Sequence, residues 1–206
     1  MINLTNSPPL SLYIHYPWCI KKCPYCDFNS HVNPDKDDFR YVEALINDLK
    51  NELPKIWGRP IYSIFFGGGT PSLISVEALD YLFSELRALL HLSPQIEITL
   101  EANPGATDRD KLKKFKEIGI NRLSIGVQSF NDQYLQNLGR IHTAKEAHQT
   151  IESAQNAGFE NLNIDLMYGL PNQTIESALF DIDQALKHQS NHLSYYQLTI
   201  EPNTPF

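Results

Sequence analysis

Cysteine is almost absent from this chain. Only three of the 206 residues are cysteines, and Cys19, Cys23 and Cys26 all lie within one eight-residue segment. An odd number of clustered cysteines excludes a disulfide framework of the kind that stabilises small secreted domains. The cluster favours a metal or iron–sulfur site, or a redox-active pair of thiols with a neighbour.

Basic residues and long apolar runs are also scarce. The chain has 17 Lys and Arg against 24 Asp and Glu, a formal net charge of −7, and no block of basic residues. This balance argues against a protein whose main role is to bind nucleic acid or an anionic membrane surface. No apolar run approaches the roughly 18 residues of a membrane span. The opening residues 1–9 lack the charged start and apolar middle of a signal peptide, so the sequence predicts a cytoplasmic protein without a membrane span or a nucleic-acid partner.

Strand-like and helix-like hydrophobic patterns alternate along the whole chain. Six short apolar runs predict β-strands, and apolar residues at spacings of three and four predict five major helices between them. A further short helical turn is expected at 132–138. The predicted strands are 12–16, 61–66, 96–100, 122–127, 162–167 and 193–198. The predicted helices are 37–53, which Pro54 is expected to close, 76–86 with Ser75 as its cap, 107–118, 143–157 and 174–187.

This alternation predicts an α/β fold with a parallel sheet and right-handed crossovers. A complete eight-unit barrel needs about 250 residues, so six strands predict an incomplete (β/α)6 TIM-like barrel. No linker rich in Pro, Gly or Ser divides the chain, and we therefore expect one core domain over residues 1–206. Because residues 201–206 show no helix to cover the sixth strand, we also expect a fragment, or a protein whose second domain is missing here.

Polar or glycine-rich residues follow the carboxyl end of nearly every predicted strand. The cysteines follow the first strand, a glycine run at 67–71 the second, Glu101 the third and Gln128 the fourth, while Asp165 lies in the fifth. In parallel α/β proteins this edge of the sheet is where binding sites are built. Taken singly, each acid could instead cap a helix or end a strand. The glycine run likewise either opens the main chain to a ligand or forms a tight turn.

The cysteine spacing C-x₃-C-x₂-C admits three interpretations. Three thiolates can bind three irons of an iron–sulfur cube, which leaves one iron open to a small molecule. Cys23 and Cys26 alone resemble the dithiol of the glutaredoxins, although that interpretation leaves Cys19 unexplained. Zinc held by the three cysteines with His15 or His31 is the third interpretation.

Six segments, in their order along the chain, resemble one protein family. The chain is similar to the radical S-adenosylmethionine (SAM) superfamily and, within it, to the HemN/HemW group of oxygen-independent coproporphyrinogen III oxidases and heme chaperones. The segments are YIHYPWC at 13–19, FGGGTP at 66–71, EANP at 101–104, GVQSF at 126–130, LGR at 138–140 and NIDLMYGLP at 163–171.

The resemblance implies both cofactors and their binding residues. In that family the three cysteines bind a 4Fe-4S cluster, and SAM chelates the fourth iron through its amino and carboxylate groups. An electron from the reduced cluster, supplied by a donor such as a flavodoxin or ferredoxin, splits SAM into methionine and a 5′-deoxyadenosyl radical. The implied SAM contacts are Tyr13, Gly68, Gly69, Thr70, Glu101, Gln128, Arg140 and Asp165, with Tyr25 packing near the adenine.

One residue separates the two subgroups. The oxidases carry a further cysteine two residues after the last cluster ligand, and this chain has Phe28 there. That departure, together with EPNT at 201–204, resembles the chaperones, which bind heme and deliver it to acceptor proteins. The alternative is the oxidase, which converts coproporphyrinogen III to protoporphyrinogen. Family members continue into a carboxyl-terminal domain with a heme-binding motif that this sequence lacks, so no heme ligand is predicted.

Overall fold

The computed structural model describes residues 8–106 and 108–206. Residues 1–7, and Thr107 at the start of the third predicted helix, lie outside the described residues. The strands are β1 (Leu10–Tyr16), β2 (Trp18–Cys19), β3 (His31–Val32), β4 (Ile61–Gly68), β5 (Leu92–Ala102), β6 (Arg122–Gln128), β7 (Asn161–Tyr168) and β8 (His192–Gln197). The helices are α1 (Asp38–Ile56), α2 (Val76–Leu89), α3 (Arg109–Ile118), α4 (Asp132–Asn137), α5 (Ala144–Asn156) and α6 (Ile175–Lys187).

Six of the strands form one parallel sheet in the order β1-β4-β5-β6-β7-β8. Neighbouring strands in this order follow one another along the chain with helices between them, as the predicted α/β fold requires. Within the described part of the chain β1 and β8 pair with one neighbour each, so the sheet stays open. The prediction of an incomplete, six-stranded parallel α/β architecture is confirmed.

One hydrophobic core lies between the sheet and the outer helices. Leu100 of β5 and Ile125 of β6 are fully buried, as are Leu112 of α3 and Ile151 of α5. Burying a side chain of this size contributes about 1.5–3 kcal/mol, so this contact between layers is the main source of stability. None of the helices in the described ranges is long and apolar enough to cross a lipid bilayer.

The first helix ends later than predicted. Pro54 was expected to close it, but α1 continues to Ile56, so that prediction is wrong. Pro54 lies in the last turn, where its missing N–H removes a single helical hydrogen bond. Leu53 and Ile56 pack against the core and favour the extra turn. The helix ends where Trp57 adopts a left-handed conformation with φ of 57°.

The loops that follow the main strands lie at one edge of the sheet. The loop after β4 contains the glycine run and a short 3-10 helix at Pro71–Leu73, and Ser75 then caps α2 as expected. The loop after β1 carries the cysteines, and its base is closed by β2 and β3, which pair Trp18 with His31 and Cys19 with Val32. The cysteines and the glycine run therefore lie at the same edge of the sheet.

Candidate functional site

A cavity of about 410 Å³ opens at the carboxyl ends of the strands. Its volume falls in the range of about 300–1,000 Å³ that is typical of small-molecule sites. All of the predicted site residues line it except Tyr13. They are Cys19, Cys23, Tyr25, Cys26, Gly68, Gly69, Thr70, Glu101, Gln128, Arg140 and Asp165.

The cysteine loop is held by hydrogen bonds within the loop, from the Lys22 side chain and from the backbone. Lys22 Nζ donates to the carbonyls of Phe28, at 2.9 Å, and Ser30, at 3.2 Å. The Cys26 N–H donates to the Cys23 carbonyl at 3.1 Å, which forms a turn between these two cysteines. All three thiols are free and half-buried, and they face one cavity together.

The histidines near the cysteines have other partners. His15 contacts the Tyr13 hydroxyl through Nδ1 at 3.0 Å and the Asn29 carbonyl through Nε2 at 2.8 Å. His31 Nε2 lies 3.0 Å from Asn29 Oδ1. In residues 8–106 and 108–206, no three His, Cys, Asp or Glu side chains are grouped so as to hold a single metal ion. In the described residues neither histidine is therefore grouped with the cysteines in the way the zinc interpretation requires.

Arg140 links the cysteine loop to β6 and to the loop that follows β5. Its Nη2 donates to Asn103 Oδ1 and to the Gly126 carbonyl, both at 2.8 Å, and its Nη1 lies 3.7 Å from Cys23 Sγ. Its Nε is buried and has no hydrogen-bond partner among the described residues. A buried donor without an acceptor is costly, so an acceptor on a bound ligand would stabilise this site.

Two carboxylates face the same cavity, Glu101 from β5 and Asp165 from β7. Burial, and then the charge of Asp165, raise the pKa of Glu101 to about 7, although Glu101 Oε2 accepts a hydrogen bond from the Gly68 N–H at 3.2 Å. Burial also raises the pKa of Asp165, which accepts from Ser124 Oγ at 2.9 Å and Asn163 Nδ2 at 2.7 Å. Two desolvated acids fit a ligand with a cationic group and several hydroxyls. SAM, with its ammonium, sulfonium and ribose hydroxyls, has that chemistry.

The position of Gln128 depends on two residues that sequence reasoning missed. Gln128 adopts φ of 70° at a register shift in β6, and its Oε1 accepts from the Tyr196 hydroxyl at 2.7 Å. Asp181 of α6, which is fully buried, accepts from Ser129 Oγ at 2.8 Å and from the Phe130 N–H at 2.7 Å. Tyr196 had a usable signal, because it lies in the sixth predicted strand, 193–198, near the carboxyl end. Asp181 had no such signal, because an acidic residue in an amphipathic helix is normally predicted to lie on the surface.

The glycines at the cavity are required by packing. A Cβ at Gly69 would lie 2.6 Å from the Trp18 carbonyl oxygen, and one at Gly68 would lie 2.6 Å from His15 Cε1. Gly68 also has φ of 118°, a conformation that disfavours L side chains. These glycines therefore let the loop after β4 approach the end of β1 closely.

The two predicted tyrosine contacts are placed differently. Tyr13 is 57% exposed and stacks on Phe65, with ring centroids 6.3 Å apart, beside the cavity and outside its lining. Tyr25 lines the cavity, and its ring meets that of Phe206 edge-on at 6.2 Å. Of the two, Tyr25 has the more direct access to a ligand in the cavity.

We expect Gly139→Ala to destabilise the fold by at least about 2 kcal/mol. Gly139 has φ of 70°, and a Cβ there would lie 2.6 Å from Cδ of Pro24 in the cysteine loop. Gly58→Ala is the matched control, because Gly58 has φ of 66° and no atom within 4 Å of a built Cβ. Denaturant unfolding measures both variants, and equal losses would show that the Pro24 contact contributes nothing.

Known proteins share both the sequence and the fold of this chain. The family model described as the radical SAM superfamily matches residues 13–184. The protein named heme chaperone HemW of Haemophilus influenzae is 51% identical over 97% of this chain and 53% of its own length. The protein of the same name from Escherichia coli is 52% identical over 98% of this chain and 54% of its own length.

A solved structure matches as well. Coproporphyrinogen III oxidase (HemN) from Escherichia coli superposes with a TM-score of 0.86 at 32% identity, over 94% of this chain and 45% of its own. The chain thus spans about half the length of the curated relatives it matches. Because the family model covers most of the chain, the chain belongs to the radical SAM superfamily.

Proposed function

We propose that Cys19, Cys23 and Cys26 hold a 4Fe-4S cluster and that SAM binds at the iron without a cysteine ligand. The observation that carries this proposal is that three free thiols and two desolvated carboxylates face the same cavity. Soft thiolates suit iron–sulfur clusters, and three of them leave one coordination position for a ligand. When bound, the reduced cluster supplies the electron that splits SAM into methionine and a 5′-deoxyadenosyl radical.

The remaining cavity residues would bind and orient SAM. Glu101 and Asp165 accept hydrogen bonds from its ammonium or ribose hydroxyls, and Gln128 presents a side-chain amide beside them. Backbone groups of Gly68, Gly69 and Thr70 line the side of the cavity next to the cysteine loop. Arg140 holds the loop through Cys23 and offers its free Nε–H to an acceptor. Tyr25 provides an aromatic face for the adenine, and Tyr13 a second aromatic contact at the open side.

The whole protein, in our proposal, is a heme chaperone of the HemW type. Relatives 51% and 52% identical to this chain carry that name. Phe28 stands where the oxidases have a further cysteine. Residues 1–206 would form the radical SAM core, and a second domain of the longer relatives would complete the heme site. Heme, an acceptor protein, an electron donor such as a flavodoxin or ferredoxin, and a cytoplasmic location belong to this proposal.

An oxidase is the second candidate. It is favoured by the TM-score of 0.86 with coproporphyrinogen III oxidase. Phe28 is the specific point against it, because a phenyl ring cannot do the redox or acid–base chemistry of a thiol. Cys23 and Cys26 as a simple dithiol remain a third and more distant function, since that use leaves Cys19 and both cavity acids without a role.

One set of assays separates these functions. The protein is reconstituted anaerobically with iron and sulfide, reduced, and mixed with SAM, and 5′-deoxyadenosine is measured with and without heme. We expect heme retention once the second domain is present to complete the heme site, and no conversion of coproporphyrinogen III. Formation of protoporphyrinogen would instead establish the oxidase. A colourless protein with Cys23 and Cys26 joined in a disulfide would contradict the cluster proposal.

A further inference from the structure

Asp38 is a buried carboxylate that the proposed chemistry does not use. It is the first residue of α1 and only 8% exposed. Its Oδ1 accepts from the Tyr16 hydroxyl at 2.7 Å, and its Oδ2 accepts from the Ser75 N–H at 2.8 Å. Lys36 Nζ lies 2.8 Å from both oxygens. Removing a carboxylate with this many partners is costly, because it leaves several buried donors unsatisfied.

Two partners of Asp38 lie in different elements next to the glycine run, one in β1 and one at the start of α2. Tyr16 ends β1, three residues before the first cysteine, and Ser75 caps α2 after the run. The Gly69 N–H donates to the Tyr16 carbonyl, and the Thr70 N–H donates to the Trp18 carbonyl, both at 2.8 Å. One carboxylate therefore joins Tyr16, whose carbonyl accepts the first of these hydrogen bonds, to the helix that follows the loop.

Lys36 extends the same network. Besides its ion pair with Asp38, Lys36 Nζ donates to the Leu73 carbonyl at 3.3 Å. Leu73 ends the 3-10 helix that follows Thr70. The carboxylate and its lysine thus contact the loop at its last turn as well as at its two flanking elements.

The glycine run needs such external support. Three consecutive glycines have no side chains to pack, and glycine loses more backbone freedom on ordering than any other residue. Gly67 and Gly68 end β4, and the Gly68 N–H donates to Glu101 Oε2. The order of Gly69 and Thr70 depends on hydrogen bonds to the backbone of neighbouring segments. Thr70 adds one side-chain contact, because its hydroxyl accepts from Asn103 Nδ2 at 3.1 Å.

We propose that Asp38 is a positioning residue that fixes Gly69 and Thr70 against the start of the cysteine loop, so that SAM affinity depends on it. The part of this inference that concerns SAM rests on the proposed function above. The part that concerns the loop rests on the hydrogen bonds alone. Asp38 itself does not line the cavity and is assigned no contact with SAM.

Hydrogen exchange tests the loop directly and without any cofactor. In Asp38→Asn we expect the amides of Gly69 and Thr70 to exchange about tenfold faster than in the parent. Asp37→Asn is the matched control, because Asp37 is exposed, caps the same helix, and is replaced by an equally good cap. Exchange within about twofold of the parent in Asp38→Asn would overturn the proposal.

SAM binding to the reconstituted protein is the second measurement. At a temperature well below unfolding, we expect Asp38→Asn to raise the dissociation constant at least about fivefold with unchanged iron content. An unchanged constant in a folded variant with faster exchange would overturn the link to SAM. If Asp38→Asn does not fold, Tyr16→Phe is used instead, because it removes only one hydrogen bond to Asp38. We expect the amides of Gly69 and Thr70 to exchange about threefold faster in that variant. Exchange at the parental rate in Tyr16→Phe would overturn the proposal. A parent that binds no SAM would contradict the proposed function, while the exchange result would still decide the role of Asp38.

Discussion

Single replacement of Cys19, Cys23 or Cys26 by Ala is expected to reduce the iron and sulfide bound after anaerobic reconstitution to background. Each thiolate would bind a different iron of the cube, and two remaining ligands cannot hold a cluster that is already open at one corner. Because the chain has no other cysteine, no substitute thiolate is present in it. Iron and sulfide analysis, together with the visible absorption of the cluster, measures this loss.

Lys21→Ala is the control for damage to the loop. Lys21 lies between Cys19 and Cys23, is exposed, and has no ligating role in our proposal. We expect its iron content to equal that of the parent. Parental iron in any one of the three cysteine variants would show that the ligand assignment is wrong. Zinc bound in place of iron would contradict it in a different way.

Glu101→Gln is expected to stabilise the cofactor-free protein at pH 8 by about 3 kcal/mol. Burial and the charge of Asp165 raise the pKa of Glu101 from 4.5 to about 7. Between pH 4.5 and about pH 7, the folded state therefore keeps a proton on Glu101 that the unfolded state has lost. The unfolding free energy of the parent should therefore fall as the pH rises from about 4.5 to about 7. Glutamine is neutral throughout, and this part of the fall should be absent in the variant.

Urea unfolding of parent and variant at pH 4 and pH 8 measures the effect. The two proteins should differ little at pH 4, where Glu101 is neutral in both folded and unfolded states. Equal stability at pH 8 would contradict the raised pKa. We expect SAM binding to change in the opposite direction, because a ligand ammonium is attracted to an ionised Glu101 and not to Gln. Loss of stability in the variant at pH 8 would show instead that the carboxylate is a structural group.

The fold could be predicted because the spacing of apolar residues along the chain indicates most of its strands and helices. The apolar run at residues 61–66 and the helical spacing from Val76 to Leu86 correspond to β4 and α2. The prediction at Pro54 failed because packing of Leu53 and Ile56 outweighed one lost hydrogen bond. Strand β5 was predicted at 96–100 but starts at Leu92, which pairs with Ile61 of β4 before a register shift leads to the continuous pairing from Glu97 onward.

The supporting residues of the site could not be predicted in the same way. The cysteines and Glu101 follow predicted strands, Asp165 lies in one, and each belongs to a short contiguous motif. Asp38 and Asp181 act on segments 37 and 51 residues away along the chain, at Ser75 and Phe130. No local pattern distinguishes such a buried acid from a surface residue of an amphipathic helix. Only the tertiary arrangement brings the carboxylate to its partners.

The short pairing of β2 with β3 has a consequence for metal loading. The cysteine loop is closed at its base by this pairing and held inside by Lys22. Each of these contacts reduces the conformational entropy that the loop would lose on binding a ligand. Preorganisation of this kind would favour assembly of the proposed cluster, because the main chain would rearrange little when iron and sulfide bind.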